Sequence, residues 1–342
     1  MVNALRLSMR WSVMGRKRPW RRLLTGLILL LLLSAGALTH IGGGPRQLLQ
    51  LLVSLDPRII GFAMLALFAG EVVKAWRLTF LSEKTVKRVP LGVSLLARFS
   101  GRFVGVLTPA YTGAAPTRSL IISAYTGVPP GESFSLATME SILDTILSVL
   151  VVLVFTAPLL PESWLVFLVS ICIGASWLLG VLWAGSDGFT RFIRRLRLPE
   201  NLECYILNQR DLFMRGLREA LRMRVLTPSL LITLLSHIFE SIALLIIITE
   251  SIGVTGLSLI LKSFILMEAT YVLSMSITPG GSLFFEYGLA SLMSPRSLLA
   301  WRVVYLLFSI LPGLIIVVAL RPVRRYIEEA LEREVTDCAG GI

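Results

Sequence analysis

The stretch from Ser100 to Arg118, SGRFVGVLTPAYTGAAPTR, interrupts an otherwise apolar sequence with prolines, glycines and arginines. Pro109 and Pro116 lack a backbone N–H, and the glycines favour bends, so a regular helix cannot continue through the whole stretch. In a bilayer, backbone groups that lose their helical partners must be satisfied by other protein or by a water-filled cavity. The stretch therefore predicts a broken helical hairpin that is surrounded by protein.

A second stretch, SITPGGSLFFEYG at 276–288, repeats this order of an apolar run, Thr-Pro, small residues and an ionisable group. Two such breaks, one in each half of a chain, are typical of transporter cores built from repeats. The sequence thus predicts an all-α, polytopic integral membrane protein with about six full spans and two re-entrant hairpins.

The composition agrees with a membrane location and excludes several classes of protein. Of the 342 residues, 55% are hydrophobic and 16% are charged, and the mean hydropathy is +0.79, which is too apolar for a soluble enzyme of this size. The net charge of +12 does not indicate nucleic-acid binding, because the basic residues lie in short segments between apolar runs. No metal-binding spacing, P-loop or nucleophile motif is present, so we expect no cofactor, no metal and no catalytic residue.

Basic segments predict the orientation of a multi-pass cell-membrane protein with both termini in the cytoplasm. Residues 1–22 form a basic, cytoplasmic N-terminus, a single transmembrane domain covers 23–320, and 321–342 is a cytoplasmic tail. The arginine-rich segment at 185–226 should also be cytoplasmic. Two interpretations of it stay open: an amphipathic helix that holds anionic lipid, and a solvated linker.

The two hairpins are predicted to open to opposite sides of the membrane. Two spans separate the first hairpin, 91–131, from the cytoplasmic segment after it, so this hairpin must return to the cytoplasm. The last span ends in a basic sequence, so the second hairpin, 257–296, must return to the outside. This is the arrangement of an inverted-topology repeat. A rival interpretation takes the first span as a secretory signal, because Ala35-Gly36-Ala37 resembles a cleavage site.

Ionisable residues inside the predicted spans should pair with one another or contact a substrate. Arg98 and Arg102 are spaced i, i+4 on the first hairpin arm, and Glu140 and Asp144 have the same spacing at a similar depth. We predict that one of these arginines lies within hydrogen-bond distance of one of these acids. The alternative is that Arg102 or Arg118 receives a lipid phosphate, because a guanidinium group offers a bidentate donor fork.

Glu286 is the ionisable residue associated with the second break, since it follows Pro279-Gly280-Gly281 by about two helical turns. The sequence leaves open whether it pairs with Arg302 or handles substrate or protons. If the repeats are inverted, Arg118 and Glu286 should line one shared cavity from opposite sides. Two local pairs are also expected, Glu71 with Lys74 and His237 with Glu240.

The motifs at these positions carry a family resemblance. They are Thr108-Pro109 followed by Gly113-Ala114-Ala115-Pro116 and Arg118, then Glu140 with Asp144, then Pro279-Gly280-Gly281 with Glu286, and finally Trp301-Arg302 and Leu311-Pro312-Gly313. In this order they resemble the flippase-like membrane domain of lysylphosphatidylglycerol synthases. Ala114, Ser141 and Leu283 stand where that family usually has glycine, arginine and glycine.

The resemblance implies a stand-alone translocator that moves a phosphate-bearing lipid between leaflets, without the synthases' aminoacyl-transfer domain. Its partners would be membrane lipids, either anionic phospholipid or polyprenyl phosphate, and a homo-oligomer or a glycosyltransferase partner is left open. The alternative function is a membrane enzyme or accessory subunit that acts on a polyprenyl-phosphate sugar, with Glu140, Asp144 or Glu286 as base; a third is a scaffold without substrate. The predicted substrate-binding residues are Arg102, Pro109, Gly113, Pro116, Arg118, Glu140, Asp144, Pro279, Gly280, Gly281, Glu286 and Arg302.

Overall fold

The computed structural model describes residues 19–156, 164–196, 198–252 and 256–319. Within these ranges the chain forms thirteen α-helices and two 3-10 turns, and it contains no strand. The predicted cytoplasmic tail and most of the basic N-terminus lie outside the described residues.

The helices, in chain order, are α1 Pro19–Ile41, α2 Pro45–Val53, α3 Pro57–Thr85, α4 Leu91–Leu107, α5 Ala114–Thr126, α6 Pro130–Thr156, α7 Trp164–Gly185, α8 Asp187–Arg195, α9 Glu200–Ala220, α10 Met223–Ile252, α11 Leu257–Ser274, α12 Phe284–Ala290 and α13 Pro295–Ala319. Among the described residues, seven helices are long and apolar enough to cross a membrane: α1, α3, α6, α7, α10, α11 and α13. Helix α11 is the first arm of the second hairpin, so six helices remain as full spans. The predicted fold class is confirmed.

The first break is a hairpin whose arms are α4 and α5, which pack against each other. Between them, Pro109–Tyr111 forms a 3-10 turn in which Ala110 and Tyr111 have left-handed φ angles of 52° and 57°. The Gly113 N–H donates to Thr108 Oγ1 at 2.9 Å, which satisfies one backbone group at the break. Pro116 does not interrupt a helix, because it lies in the first turn of α5, where its missing N–H costs no helical hydrogen bond.

The second break repeats this bend with different residues. The turn Pro279–Gly281 follows α11, and Gly280 and Gly281 have φ angles of 54° and 67°. The two turns contact each other, and the Ala110 N–H donates to the Ser276 carbonyl at 3.1 Å. The two predicted breaks therefore meet inside the protein.

The helices of each half follow the same plan of a span, a broken hairpin and a second span. The first half comprises α3 to α6, and the second comprises α10 to α13. Helix α3 packs along α10, α13 packs against α4, and α6 packs against α11. The repeat relates α3 to α10, α4 to α11 and α6 to α13. Exchanging these helices leaves the α3–α10 contact unchanged and converts the α4–α13 contact into the α6–α11 contact, as the predicted inverted repeat requires.

The described residues of the basic segment at 185–226 lie mostly in helices, α8, α9 and the start of α10, rather than in a solvated linker. Helix α9 packs against α6, and the Phe189 ring of α8 contacts the Trp183 ring at the end of α7, with centroids 5.0 Å apart. Arg210 of α9 donates hydrogen bonds to carbonyl oxygens of residues 184–186. These bonds satisfy backbone acceptors at the carboxyl end of α7.

The buried interior consists of two apolar clusters with charged residues between them. Helix α3 shows the order: Leu67 belongs to one cluster and Leu78 to the other. Glu71, Lys74 and Arg77 lie between these leucines and are all buried. The three are spaced by three residues and therefore share one side of the helix. The polar layer is thus placed inside the bundle rather than at its ends.

Candidate functional site

Eleven buried ionisable side chains lie between the apolar clusters and form what we call the buried charge network. Four of its helices, α3, α4, α6 and α10, contribute residues at spacings of three or four, which face the same direction, and α5 and α11 contribute one residue each. The network comprises Glu71, Lys74 and Arg77 of α3, Arg98 and Arg102 of α4, Arg118 of α5, Glu140 and Asp144 of α6, His237 and Glu240 of α10, and Glu268 of α11.

The two arginines of α4 bind acids from neighbouring helices. Arg98 donates to Glu71 at 2.7 Å and to Glu140 at 3.1 Å. Arg102 donates to the same Glu71 carboxylate at 2.7 Å. The predicted contact between an α4 arginine and Glu140 or Asp144 is confirmed. The predicted pair of Glu71 with Lys74 is wrong, because the two guanidinium groups of α4 occupy the Glu71 carboxylate.

Lys74 and Arg77 connect α3 to other helices instead of extending towards a membrane surface. The Lys74 Nζ donates to both carboxylate oxygens of Glu240 on α10, each at 2.8 Å. Arg77 donates to Asp144 of α6 at 2.5 Å and to Thr233 of α10 at 2.6 Å. Their three-residue spacing with Glu71 was the sequence signal for a shared helix face, but it did not identify the partners.

His237 lies between two carboxylates. Its Nδ1 is 2.8 Å from Glu268 of α11, and its Nε2 is 3.5 Å from Asp144 of α6. The predicted pair of His237 with Glu240 is wrong, since Glu240 is held by Lys74. The histidine thus joins the second half of the chain to the first.

Arg118 is the network cation with the weakest attachments. Its NH1 lies 3.7 Å from Glu140 and 3.5 Å from the Ser141 hydroxyl. Its Nε has no hydrogen-bond partner among the described residues, and neither has the Glu140 Oε2. The side chain is only 2% exposed and packs closely against Gly101 of α4. Arg118 is therefore a buried cation with an unused donor.

A small polar cavity of about 20 Å³ lies among these residues, which is room for roughly one water molecule. Residues from both halves line it, including Glu71, Arg102, Tyr111, Arg118, Glu240 and Tyr271. Tyr111 belongs to the first break itself, so its position in the motif was a signal that sequence reasoning passed over. No lipid headgroup fits this volume, so the cavity is closed to lipid in this structure.

Glu286 and Arg302 form a separate buried ion pair at 2.9 Å. Arg302 also donates to Ser34 of α1 at 2.8 Å and to the Gly280 carbonyl at 3.2 Å, and Glu286 accepts from the Leu283 N–H at 2.7 Å. Glu286 thus supports the second break and does not line the cavity with Arg118. The predicted pairing with Arg302 is confirmed, and the predicted shared cavity is not formed in this structure.

The predicted substrate-binding residues therefore fall into four groups by position. Arg102 and Arg118 line the cavity, while Glu140 and Asp144 hold network cations beside it. Glu286 and Arg302 brace the second break. The remaining residues shape the two hairpins: Pro109, Gly113, Pro116, Pro279, Gly280 and Gly281.

Comparison with known proteins gives one family. The sequence profile of the family described as lysylphosphatidylglycerol synthase TM region matches residues 20–313. No curated protein matches the chain. The matched range begins in α1 and ends in α13, so it includes both hairpins and the whole buried charge network.

Proposed function

We propose, from the premise that this chain belongs to the family of the lysylphosphatidylglycerol synthase transmembrane region, that it moves a phosphate-bearing lipid between membrane leaflets. The family and the multi-pass membrane fold support a function that involves membrane lipids. The meeting of two broken hairpins at a polar cavity supports transport across the bilayer, because transporter sites form where such breaks meet.

The observation that carries the proposal is the unused hydrogen-bond donor of Arg118. An unpartnered N–H donor in a protein interior costs roughly 1–3 kcal/mol, so a buried arginine normally has all its nitrogens satisfied. The Arg118 Nε has no partner among the described residues, and the same holds for the Arg77 Nε. Arg77, however, donates short bonds to Asp144 and Thr233, whereas the Arg118 contacts with Ser141 and Glu140 are 3.5 and 3.7 Å long. A phosphate oxygen is the acceptor that a guanidinium fork binds in bidentate fashion. A lipid phosphate beside Arg118 would therefore satisfy the donor that the closed structure leaves unused.

The cavity must enlarge before such a headgroup enters. Its volume of about 20 Å³ holds roughly one water molecule, and the bond from Ala110 to Ser276 keeps the two turns together. Separation of these turns would open the polar layer between the halves. The first hairpin would then admit lipid from the cytoplasmic leaflet and the second from the outer leaflet.

Reconstitution into vesicles tests the proposal. Fluorescent phosphatidylglycerol and a fluorescent polyprenyl phosphate would be assayed for leaflet exchange with wild-type protein, with Arg118→Gln and without protein. We expect exchange with the wild type and its loss in Arg118→Gln. Arg222→Gln is the matched control, because Arg222 is exposed on the surface. Exchange no faster than in protein-free vesicles for both lipids would contradict the proposal.

The second candidate function is a membrane enzyme that acts on a polyprenyl-phosphate sugar. The Glu140 Oε2 favours it, since this buried oxygen accepts no hydrogen bond within the described part of the chain and could take a proton as a general base. Sugar transfer by the purified protein, abolished in Glu140→Gln, would support this candidate over lipid transport.

A further inference from the structure

The lining of the small polar cavity contains more cations than anions. Among the described residues, its charged side chains are Arg98, Arg102, Arg118, Glu71 and Glu240. Arginine keeps its charge in a protein. Glu71 accepts hydrogen bonds from two of these arginines at 2.7 Å, and Glu240 accepts from Lys74 at 2.8 Å, so both carboxylates are ionised. The lining therefore carries one surplus positive charge.

The buried charge network as a whole has the same surplus. The His237 Nδ1 lies 2.8 Å from Glu268 and its Nε2 lies 3.5 Å from Asp144, so the imidazole is held between two carboxylates and carries a positive charge. The described residues of the network then comprise six cations and five carboxylates. The separate buried pair of Glu286 with Arg302 is balanced. The interior thus holds one positive charge more than its acids neutralise.

The surplus charge lies at Arg118. Each network carboxylate has another cation within 3.1 Å, in the pairs Glu71 with Arg102, Glu140 with Arg98, Asp144 with Arg77, Glu240 with Lys74 and Glu268 with His237. Arg118 approaches Glu140 at 3.7 Å, and its Nε has no hydrogen-bond partner among the described residues. Arg118 therefore combines the surplus charge with an unused donor at the cavity.

The size and the charge of the cavity together define what it can hold. Its volume of about 20 Å³ admits a ligand of roughly the size of one water molecule, and a chloride ion is only slightly larger. Water would satisfy the unused donor, but it would leave the positive charge uncompensated in the protein interior, which is strongly unfavourable. A small monovalent anion satisfies the donor and also balances the charge.

We infer that the closed structure binds one halide-sized monovalent anion, with chloride as the most abundant ion of this size, in the cavity beside Arg118. The guanidinium group donates to the anion. Tyr111 and Tyr305 line the same cavity, and their phenol hydroxyls can donate as well. The inference goes beyond the proposed function, because it concerns the closed structure and requires no lipid.

The anion would also affect lipid entry if Arg118 binds a lipid phosphate. The phosphodiester of phosphatidylglycerol carries one negative charge, as chloride does. Replacement of chloride by the headgroup would therefore leave the charge of the polar layer unchanged. This part of the argument rests on the proposed function, and it predicts that chloride and the lipid compete for the site.

Two measurements on the full-length protein in detergent test the inference. Equilibrium dialysis with radioactive chloride should give one chloride ion bound per chain. Thermal unfolding would be followed in mixtures of sodium chloride and sodium gluconate at constant ionic strength, because gluconate is too large for the cavity. We expect the midpoint temperature to rise with the logarithm of the chloride concentration. No bound chloride, or equal stability in both salts, would leave water as the occupant and overturn the inference.

Two variants and a matched control locate the anion. Arg118→Gln removes the surplus charge and the donor, so it should weaken chloride binding about 10- to 100-fold. Glu71→Gln adds a second surplus charge to the lining, so it should tighten chloride binding and make the midpoint temperature more dependent on chloride. Arg222→Gln should leave both measurements unchanged, because Arg222 is exposed. Undiminished chloride binding in folded Arg118→Gln, or weaker binding in Glu71→Gln, would overturn the inference.

A competition experiment separates the inference from the proposed function. Short-chain phosphatidylglycerol, titrated at increasing chloride concentration, should show a Kd that rises in proportion to chloride once the anion site is filled. Chloride bound at Arg118 with no effect of the lipid would support the anion site and contradict lipid binding there. Lipid binding that depends on Arg118 but is insensitive to chloride would support the proposed function and overturn the inference.

Discussion

Lys74 and Glu240 join the first helices of the two halves, α3 and α10, through a buried ion pair in which the Lys74 Nζ lies 2.8 Å from both carboxylate oxygens. Both side chains are at most 1% exposed. Among the described residues, the other cation within 4 Å of Glu240 is Arg102, at 3.9 Å, a distance too long for a hydrogen bond. Lys74 is therefore the cation that balances the Glu240 carboxylate charge at the interface between the two halves.

Lys74→Met should destabilise the protein by about 3–5 kcal/mol, because it leaves the Glu240 carboxylate buried without its partner. The double variant Lys74→Met with Glu240→Leu should recover most of this loss, since it removes both charges. Unfolding titrations in mixed micelles measure both values. Lys84→Met is the control, because Lys84 is half exposed. A cost below about 1 kcal/mol for the single variant would show that the pair is dispensable.

Gly281→Ala should be more destabilising than Gly127→Ala. Both glycines have a left-handed φ, 67° and 69°, so alanine costs about 1 kcal/mol of backbone energy at each. At Gly281 the new methyl group would also collide with the Leu273 carbonyl, whereas at Gly127 it meets open space. The same unfolding titration measures the difference. Equal losses for the two variants would mean that the second turn is loosely packed.

A cross-link between the two turns should stop lipid exchange while preserving the fold. Cysteines at Ala110 and Ser276 would be joined by oxidation in a background without the native cysteines, because the backbones at these positions are hydrogen-bonded at 3.1 Å. We expect exchange in vesicles to fall to the protein-free rate after oxidation and to return after reduction. Full exchange by the oxidised protein would show that the headgroup does not pass between the turns.

Arg118→Lys should weaken phosphatidylglycerol binding about 10- to 100-fold, because lysine keeps the charge but cannot form the bidentate bonds of the guanidinium group. Arg118→Gln, which also removes the charge, should weaken it further. Calorimetric titration at one pH measures both, and unfolding titrations show whether the variants are folded. Equal affinity of Arg118→Lys and the wild type would argue against bidentate recognition at this residue.

The breaks and the number of spans could be predicted from sequence because they depend on local chemistry. Pro109 and Pro279 lack a backbone donor wherever the chain places them, and Gly280 and Gly281 accept the left-handed conformation that the second turn needs. The contact of Arg98 with Glu140 was also predictable. The sequence placed Arg98 on the first hairpin arm and Glu140 at a similar depth in the next full span.

The partners of several charges could not be predicted, because the choice depends on which distant helices pack together. Glu71 and Lys74 are neighbours on one helix, but α4 and α10 offer each of them a better partner. The burial of Arg118 was missed for the same reason, since it follows from the close packing of α5 on Gly101.

The turns Pro109–Tyr111 and Pro279–Gly281 have the same backbone conformation but different side chains. The polar layer therefore has different surfaces on its two sides. The second turn uses Gly280 and Gly281, which adopt left-handed angles without strain, whereas the first places Ala110 and Tyr111 in the same conformation. Glycine at 111 would relieve that strain but would remove the ring that packs on Gly105 and lines the cavity. A headgroup that passed between the turns would therefore meet an aromatic face on one side and bare peptide on the other.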